Sequence, residues 1–374
     1  MKIGITCYPT YGGSGAVATE LGLALAERGH EVHFVTYAQP FRLVGLHERV
    51  SYHEVEMEDY PLFEHPPYTL ALAVALHDAV KREELDLVHM HYAIPHAASA
   101  FLAKQMLAEE RSLKIVTTLH GTDITLVGLH PSFHAITRFS ILQSDGISTV
   151  SSYLKDQTVR DFSVPAERID VIPNFVDARM WRPDRQPCHR SKLAPKGEKI
   201  VMHVSNYRPV KRAQDVVDVF AKIRAAVPAR LVLVGDGPER PRALARAADL
   251  GLREHVSFMG RHAAPEELLS CADLFLLPSE SESFGLAALE AMACGAPVVT
   301  SDAGGLPEVV QDGVTGHLLP VGDIDGMAEA GIRILTDPSH AKALSTAARA
   351  VALERFSIDA VVPKYERLYE RVLG

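Results

Sequence analysis

The sequence predicts an α/β fold built from two doubly wound, Rossmann-like domains, and three observations support it. Short β-branched runs alternate with helical patterns along most of the chain, which is typical of parallel sheets with helices on both faces. The alternation stops once, near the middle, in a stretch rich in proline and charge. A length of 374 residues also suits two domains of roughly 150 residues each.

The first half of the chain is predicted to form a sheet of seven strands. Between the first two strands, residues 15–28 place Val17, Leu21 and Leu25 on one helical stripe, and Gly29 follows where a helix would end. The chain therefore opens with a strand, a helix and a second strand. The predicted strands are residues 2–8, 31–37, 50–55, 85–91, 114–120, 146–151 and 168–172.

Residues 177–198 are predicted to link the domains, because Pro183, Pro187 and Pro195 lie among charged residues without sustained periodicity. The alternation then resumes, with helices such as 212–224 and 286–294, and a last helix at 357–373 has no strand after it. The second set of predicted strands is 199–205, 230–235, 255–259, 274–278, 297–301 and 317–320. The predicted domains are 1–176 and 199–355, with 356–374 packing back on the first.

Charge and composition exclude several classes of protein. The net charge is −9, with 38 basic and 47 acidic residues, which argues against nucleic acid as a partner. No apolar run approaches the roughly 18 residues of a membrane span, and the first residues lack the features of a signal peptide. We therefore expect a cytoplasmic protein without a membrane partner.

The cysteines carry no pattern that indicates a disulfide framework or a zinc site. Cys7, Cys188, Cys271 and Cys294 are scattered, and none belongs to a C-x-x-C pair. We therefore expect four reduced thiols.

The turn after the first strand is rich in glycine and opens directly into a helix. Gly13, Gly15 and Ala18 satisfy the dinucleotide pattern G-x-G-x-x-A, but the second strand ends without the acidic residue that would bind a ribose. An ordinary tight turn and an anion-binding turn both remain open. A nicotinamide-dependent oxidoreductase is therefore only a distant alternative.

Histidines and hydroxyl groups follow two strands of the first half. Strand alternation places His89 and His91 on the same face of the sheet. A zinc site would need a third ligand, and the sequence shows none at a recognisable spacing. Buried histidines, or histidines at the rim of the sheet, are the favoured interpretation. The next strand ends with Thr118, His120 and Asp123, a set that suits sugar hydroxyls or only local turn bonding.

In the second half, cations and carboxylates follow the strands. Arg208 and Lys211 lie between a strand and a helix, where they could bind a diphosphate or form a solvated turn. Glu282 lies in a loop, and Glu290 lies two helical turns into an apolar helix. A carboxylate in such surroundings needs a polar partner, and sugar diols are plausible ones.

Glu282 and Glu290 resemble the E-x7-E motif of the family 4 glycosyltransferases, retaining nucleotide-sugar enzymes with the GT-B fold and its interdomain cleft. The segments 290–299 and 304–308 are also similar to that family, and the resemblance covers nearly the whole chain. Within the family, the chain is most similar to members that join the N-acetylglucosamine of UDP-N-acetylglucosamine to L-malate in bacillithiol biosynthesis. That similarity lies in residues 3–9, 12–15, 40–42, 91–96 and 119–125.

The resemblance implies that residues 199–355 bind the donor. Glu282 would hold sugar hydroxyls, Glu290 the uridine ribose and Lys211 the phosphates. Asn206 stands where many members have arginine, so Arg208 is the candidate for the missing guanidinium. Further donor contacts are expected from Gly13, Asn206, Ser283, Phe284, Gly285 and Leu286.

The resemblance also implies that residues 1–176 bind the acceptor, with His120 orienting the donor sugar and stabilising charge at its anomeric carbon. The departing phosphate would take the acceptor's proton, so no metal or further cofactor is expected. The catalytic residues implied are His120, Arg208, Lys211 and Glu282. The acceptor-binding residues implied are Ser14, Tyr92, Thr118 and Arg138.

Residue types alone leave other interpretations open. An inositol phosphate, a lipid or a polysaccharide could replace L-malate as acceptor, and a catalytically silent sugar-nucleotide sensor would keep the same donor residues. A homo-oligomer is also compatible with the sequence.

Overall fold

The structure is a computed structural model that describes residues 1–10, 12–57, 65–185 and 188–374. Pro187 of the predicted link lies outside these ranges. The chain divides into two compact units, one of Met1–Asn174 with Asp359–Gly374 and one of Phe175–Ile358. Each unit holds a parallel sheet with helices around it, which confirms the predicted fold class.

Unit 1 is built on a seven-stranded sheet with the order β3-β2-β1-β4-β5-β6-β7. Its strands are β1 Lys2–Thr6, β2 Glu31–Thr36, β3 Val50–Glu54, β4 Leu87–His91, β5 Lys114–Leu119, β6 Gly146–Thr149 and β7 Ile169–Val171. Its helices are α1 Gly13–Glu27, α2 Tyr68–Glu83, α3 Ala98–Met106, α4 Pro131–Leu142 and α5 Ser152–Phe162. The strand order reverses between β1 and β4, where ligands of such sheets bind at the carboxyl ends.

Unit 2 is built on a six-stranded parallel sheet with the order β10-β9-β8-β11-β12-β13. Its strands are β8 Lys199–Val204, β9 Ala229–Val234, β10 Val256–Gly260, β11 Leu274–Leu277, β12 Val298–Ser301 and β13 Gly316–Leu319. Its helices are α6 Arg190–Leu193, α7 Ala213–Ala226, α8 Arg240–Asp249, α9 Pro265–Leu269, α10 Leu286–Ala293, α11 Leu306–Val309, α12 Ile324–Thr336 and α13 Pro338–Phe356. The order reverses between β8 and β11.

The segment predicted as a link belongs to unit 2 and contributes to its interior. Trp181 is fully buried, and Cys188 forms a disulfide with Cys271, 83 residues away in sequence. The expectation of four reduced thiols was therefore wrong for this pair, because spacing along the chain could not reveal a contact made by folding. Cys7 and Cys294 are free and buried, and burial raises the pKa of Cys7 to about 12.

The last helix, α14 (Ile358–Leu373), completes the core of unit 1. Its inner face buries Val361, Tyr365 and Tyr369, and the Tyr369 hydroxyl lies 2.7 Å from Nδ1 of His89 on β4. None of the helices in the described ranges has both the length and the apolar character that a membrane span requires.

Replacing Tyr369 by phenylalanine should lower the free energy of unfolding by about 1–3 kcal/mol, because a buried His89 nitrogen loses its partner. Thermal unfolding of the variant measures the loss. Glu370→Ala, at an exposed position of the same helix, is the control and should change stability by less than about 0.5 kcal/mol. Equal stabilities for both variants would contradict the role given to this hydrogen bond.

Candidate active site

A lysine and a glutamate meet where neighbouring strands of unit 2 end. Lys211 lies in the short turn Pro209–Lys211 after β8, and Glu282 lies in the loop after β11. Their Nζ and Oε1 atoms are 2.6 Å apart, and the hydroxyl of Ser279 donates to the same oxygen at 2.8 Å. The two side chains are only 19% and 10% exposed, so this ion pair is shielded from water and its attraction is strengthened.

Backbone contacts hold the two loops that carry this pair. The N–H of Glu280 donates to the carbonyl of Val210 at 2.8 Å, and the N–H of Gly305 donates to the carbonyl of Glu282 at 2.8 Å. Gly304 has a φ of 61°, and a Cβ there would lie 2.0 Å from the Glu282 carbonyl oxygen. The loop after β12 must therefore carry glycine for the Glu282 loop to keep its place.

The Glu282 loop passes directly into α10. Gly285 has a φ of 97°, and a Cβ there would lie 2.5 Å from Leu306. Phe284 is buried against the edge of Phe356, whereas Ser283 and Leu286 are partly exposed. The first amides of α10 have no partner within the helix and are suited to bind an anion.

Glu290 lies further along α10 and is 8% exposed. Burial, followed by the charge of Glu290, raises the pKa of the neighbouring Cys294 thiol. The structure therefore places this carboxyl group on the apolar helix that the sequence predicted.

Asn206 and Arg208 flank a buried tyrosine in the loop after β8. Both are exposed, and the guanidinium of Arg208 makes no hydrogen bond or ion pair within the described residues. Tyr207 between them is fully buried with a φ of 47°, and its ring lies edge-on to His203 at 5.9 Å. Sequence reasoning missed this tyrosine, although a large aromatic residue between polar ones is a signal of such an anchor.

In unit 1, the loops after β4 and β5 bring Tyr92 and His120 together. Their ring centroids are 5.4 Å apart, and Nδ1 of His91 lies 2.8 Å from Nε2 of His120. Burial lowers the pKa of His120 to about 3 and that of His91 well below its ordinary value. Both imidazoles are therefore neutral near pH 7.

Asp123 ties these two loops together, a role that sequence reasoning did not assign. Its carboxylate accepts hydrogen bonds from the N–H groups of Ala93 (3.0 Å), Gly121 (3.0 Å) and His120 (3.3 Å). Burial raises the pKa of Asp123 to about 6, and the three backbone donors oppose that rise. The carboxylate thus fixes the backbone of the two loops that carry Tyr92 and His120.

The other predicted acceptor residues lie on β5, α1 and α4 of unit 1, and the carbonyl of Thr118 accepts from the N–H of Tyr92 at 3.0 Å. Thr118 is fully buried, and its hydroxyl lies 2.7 Å from both His89 and Ser148. Ser14 is half-buried in the first turn of α1, next to the exposed Gly13. Arg138 is exposed on α4, where its Nε donates to the carbonyl of Phe162 at 2.9 Å.

The histidines weighed for zinc are parts of hydrogen-bond networks. His89 and His91 do lie on one face, with rings 4.4 Å apart, and both nitrogens of His89 are engaged by Tyr369 and Thr118. A second group joins His33, His53 and Glu83 within 4.8 Å. There Arg82 donates to Nδ1 of His53, whose Nε2 lies 3.0 Å from His33, so the pair is already hydrogen-bonded.

Comparisons with known proteins agree with this architecture. Residues 11–179 match the model of Glycosyltransferase Family 4, and residues 184–351 match that of Glycosyl transferases group 1. The chain therefore belongs to the family 4 glycosyltransferases and is a hexosyltransferase. The N-acetyl-alpha-D-glucosaminyl L-malate synthase of Bacillus anthracis is 47% identical over 374 residues, covering 100% of this chain and 97% of the relative.

Two further comparisons bear on the fold and the acceptor. The D-inositol 3-phosphate glycosyltransferase of Mycolicibacterium paratuberculosis is 38% identical over 213 residues, 54% of this chain and 47% of that protein. The sucrose-phosphate synthase of Thermosynechococcus elongatus is 23% identical with a TM-score of 0.81, and the match covers 100% of this chain and 99% of that one. The fold is therefore GT-B, and the family excludes the distant oxidoreductase alternative.

Replacing Gly304 by alanine should displace the Glu282 loop and lower transferase activity at least about tenfold, because the new Cβ would overlap a backbone carbonyl. Steady-state kinetics measures the change. Gly313→Ala is a matched control, since Gly313 also has a positive φ (69°) but a Cβ there meets nothing within 4 Å. Similar losses in both variants would mean that backbone strain, and not the loop contact, matters.

Proposed function

We propose that the protein transfers N-acetylglucosamine from UDP-N-acetylglucosamine to the hydroxyl of L-malate with retention of configuration. The products would be N-acetyl-α-D-glucosaminyl L-malate and UDP, the first step of bacillithiol biosynthesis. The full-length relative from Bacillus anthracis supports these substrates. The observation in the structure that carries the proposal is the shielded pair of Lys211 and Glu282 at 2.6 Å.

Lys211 and Glu282 together offer the two kinds of group that bind a sugar diphosphate, a cation for the phosphates and an acceptor for the sugar hydroxyls. The ammonium of Lys211 has three N–H donors, so it can bind a phosphate oxygen while it remains near Glu282. Glu282 would accept hydrogen bonds from sugar hydroxyls, and Glu290 from the ribose diol. The guanidinium of Arg208, which pairs with no group in the described part of the chain, would be a second cation for the diphosphate.

The remaining donor contacts would come mainly from backbone groups. The amides of Ser283, Phe284, Gly285 and Leu286 surround the start of α10, where the helix dipole favours an anion. Asn206 and Gly13 would add contacts to the phosphates.

The transfer we propose uses charge stabilisation and no protein base. Lys211 and Arg208 would stabilise the leaving diphosphate, whose oxygen takes the proton of the attacking hydroxyl. His120, held neutral, would orient the sugar as its anomeric carbon becomes positive. No metal or additional cofactor is part of this scheme, which would operate in the cytoplasm.

The acceptor would bind to residues of unit 1. L-Malate carries two carboxylates, and Arg138 is the only cation among the residues we assign to it. Ser14 and Tyr92 would donate hydrogen bonds, while Thr118 would act through its buried contacts with His89 and Ser148. An inositol phosphate is a second candidate acceptor, favoured by the partial match to an inositol 3-phosphate enzyme.

The test is UDP release from UDP-N-acetylglucosamine with no acceptor, L-malate, D-malate, succinate or inositol phosphate, with mass spectrometry of each product. We expect release and a glycoside mass with L-malate alone. Turnover with inositol phosphate instead would keep the donor but overturn the acceptor. An α-anomeric signal in the NMR spectrum of the product would establish retention, and a β-anomer would contradict it.

Replacing Lys211 by glutamine should lower kcat/KM at least about 100-fold, because one charge that stabilises the leaving diphosphate is removed. Lys222→Gln is the matched control, since Lys222 is half-exposed and pairs with Asp325 on the surface. Steady-state kinetics compares the two variants. Unchanged kcat/KM in Lys211→Gln would remove this lysine from the site.

Replacing Arg138 by alanine should raise the KM for L-malate at least about tenfold and leave that for the donor nearly unchanged, because the acceptor loses a charge-assisted hydrogen bond. Arg160→Ala is the control, because Arg160 is an exposed arginine that pairs with Asp161. Initial rates at varied L-malate measure the effect. A malate KM equal to that of the control would reject the role of Arg138.

A further inference from the structure

The hydrogen bond between His91 and His120 contains one proton whose position decides what His120 can do. The two nitrogens, Nδ1 of His91 and Nε2 of His120, are 2.8 Å apart, and the ring planes differ by 24° with centroids 5.0 Å apart. Because both imidazoles are neutral, one nitrogen of the pair donates and the other accepts. Two tautomeric arrangements are therefore possible, and the surroundings distinguish them.

The far nitrogen of His91 favours one arrangement. Nε2 of His91 is buried and has no hydrogen-bond partner within the described residues. If His120 donated, His91 would carry its own proton on this Nε2, as a buried N–H without an acceptor. If His91 donates from Nδ1, Nε2 retains only a lone pair, and an unpaired buried acceptor is tolerated better than an unpaired N–H.

His96 shows that the same interior tolerates such a lone pair. Its Nδ1 contacts the backbone carbonyl of His91, which can only accept, so His96 must be protonated on Nδ1. Its Nε2 is then unprotonated, and that atom is likewise buried without a partner within the described residues. If His91 is also protonated on Nδ1 and unprotonated on Nε2, it has the same tautomer that the hydrogen bond of His96 requires.

The Nδ1 atom of His120 is therefore a hydrogen-bond donor. With Nε2 accepting from His91, the proton of His120 lies on Nδ1, which makes no hydrogen bond within the described ranges and is absent from their buried unpaired atoms. The other tautomer would offer a lone pair at this position. An N–H is suited to an oxygen acceptor, such as a sugar oxygen.

We propose that His91 is a positioning residue that holds His120 in the Nδ1–H tautomer, so that His120 donates a hydrogen bond to an oxygen of the bound hexosyl group. The tautomer follows from unit 1 alone, whereas the contact with the sugar rests on the proposed function. His91 itself touches no substrate in this scheme and acts through His120.

The tautomer can be measured without substrate. We would label the protein with ¹⁵N-histidine, record long-range ¹H–¹⁵N correlations, and assign His120 by its loss in His120→Gln. Wild-type protein should show His120 protonated on Nδ1. Protonation on Nε2 would overturn the proposal, whatever reaction the enzyme performs.

A matched pair of variants tests the role of His91. Asparagine at position 91 can donate to Nε2 of His120, whereas aspartate can only accept from it. Spectra are recorded at a pH at which His120 is neutral in each variant, because an imidazolium carries protons on both nitrogens. We then expect His91→Asn to preserve the Nδ1–H signal and His91→Asp to shift the proton of His120 to Nε2. The same tautomer in both variants would overturn the proposal.

Turnover separates the positioning role from a purely structural one. For His91→Asp we expect kcat to fall at least about tenfold below that of His91→Asn, because one donor to the sugar is lost. Thermal unfolding checks that both variants are folded; if the aspartate variant is not, His91→Glu replaces it, since its carboxylate likewise accepts and cannot donate. If the two folded variants differ in the tautomer of His120 but have equal kcat, His91 has no positioning role. That result would not affect the proposed donor and acceptor of the reaction.

Discussion

The ion pair of Lys211 and Glu282 joins two loops that the chain supplies 71 residues apart. Both side chains are largely removed from water, and the cost of desolvating them is offset by close opposite charge and further hydrogen bonds. Ser279, the Val210 carbonyl and the glycines after β12 provide the supporting contacts. Unit 2 therefore holds a cation and a carboxylate in place before any ligand arrives, and preorganised charge of this kind is what stabilises a leaving diphosphate.

The loops after β4 and β5 of unit 1 carry mainly neutral groups. Burial keeps His89, His91 and His120 uncharged, and the only carboxylate in their loops, Asp123, is occupied with three backbone donors. A dicarboxylate acceptor must then find its cation elsewhere, which is why Arg138 on α4 carries that part of our proposal. The loops that we assign to the diphosphate thus present a cation and a carboxylate, whereas the loops around His120 present neutral hydrogen-bonding groups.

Much of the fold could be predicted because the periodicity of apolar residues is local. The predicted strands of both units occur with ends shifted by no more than two residues, and the order of helices and strands fits parallel sheets. Contacts between distant parts of the chain could not be predicted in this way. Such contacts depend on which parts of the chain become neighbours, and no local pattern encodes this. Examples are the disulfide of Cys188 and Cys271, the buried hydrogen bonds of the Thr118 hydroxyl and the three hydrogen bonds of Asp123. The assigned roles of Glu282, Glu290 and Lys211 came from a family motif, and their ligand contacts remain predictions.

The most direct test of this account is a crystal structure of the protein with UDP-N-acetylglucosamine bound. We predict that the diphosphate lies within hydrogen-bonding distance of Nζ of Lys211, that the carboxylate of Glu282 accepts from hydroxyls of the hexosyl group, and that the loop after β11 keeps its backbone position. A nucleotide bound away from Lys211 and Glu282, or a loop that must rebuild to admit it, would contradict the claim that unit 2 carries a preformed donor site.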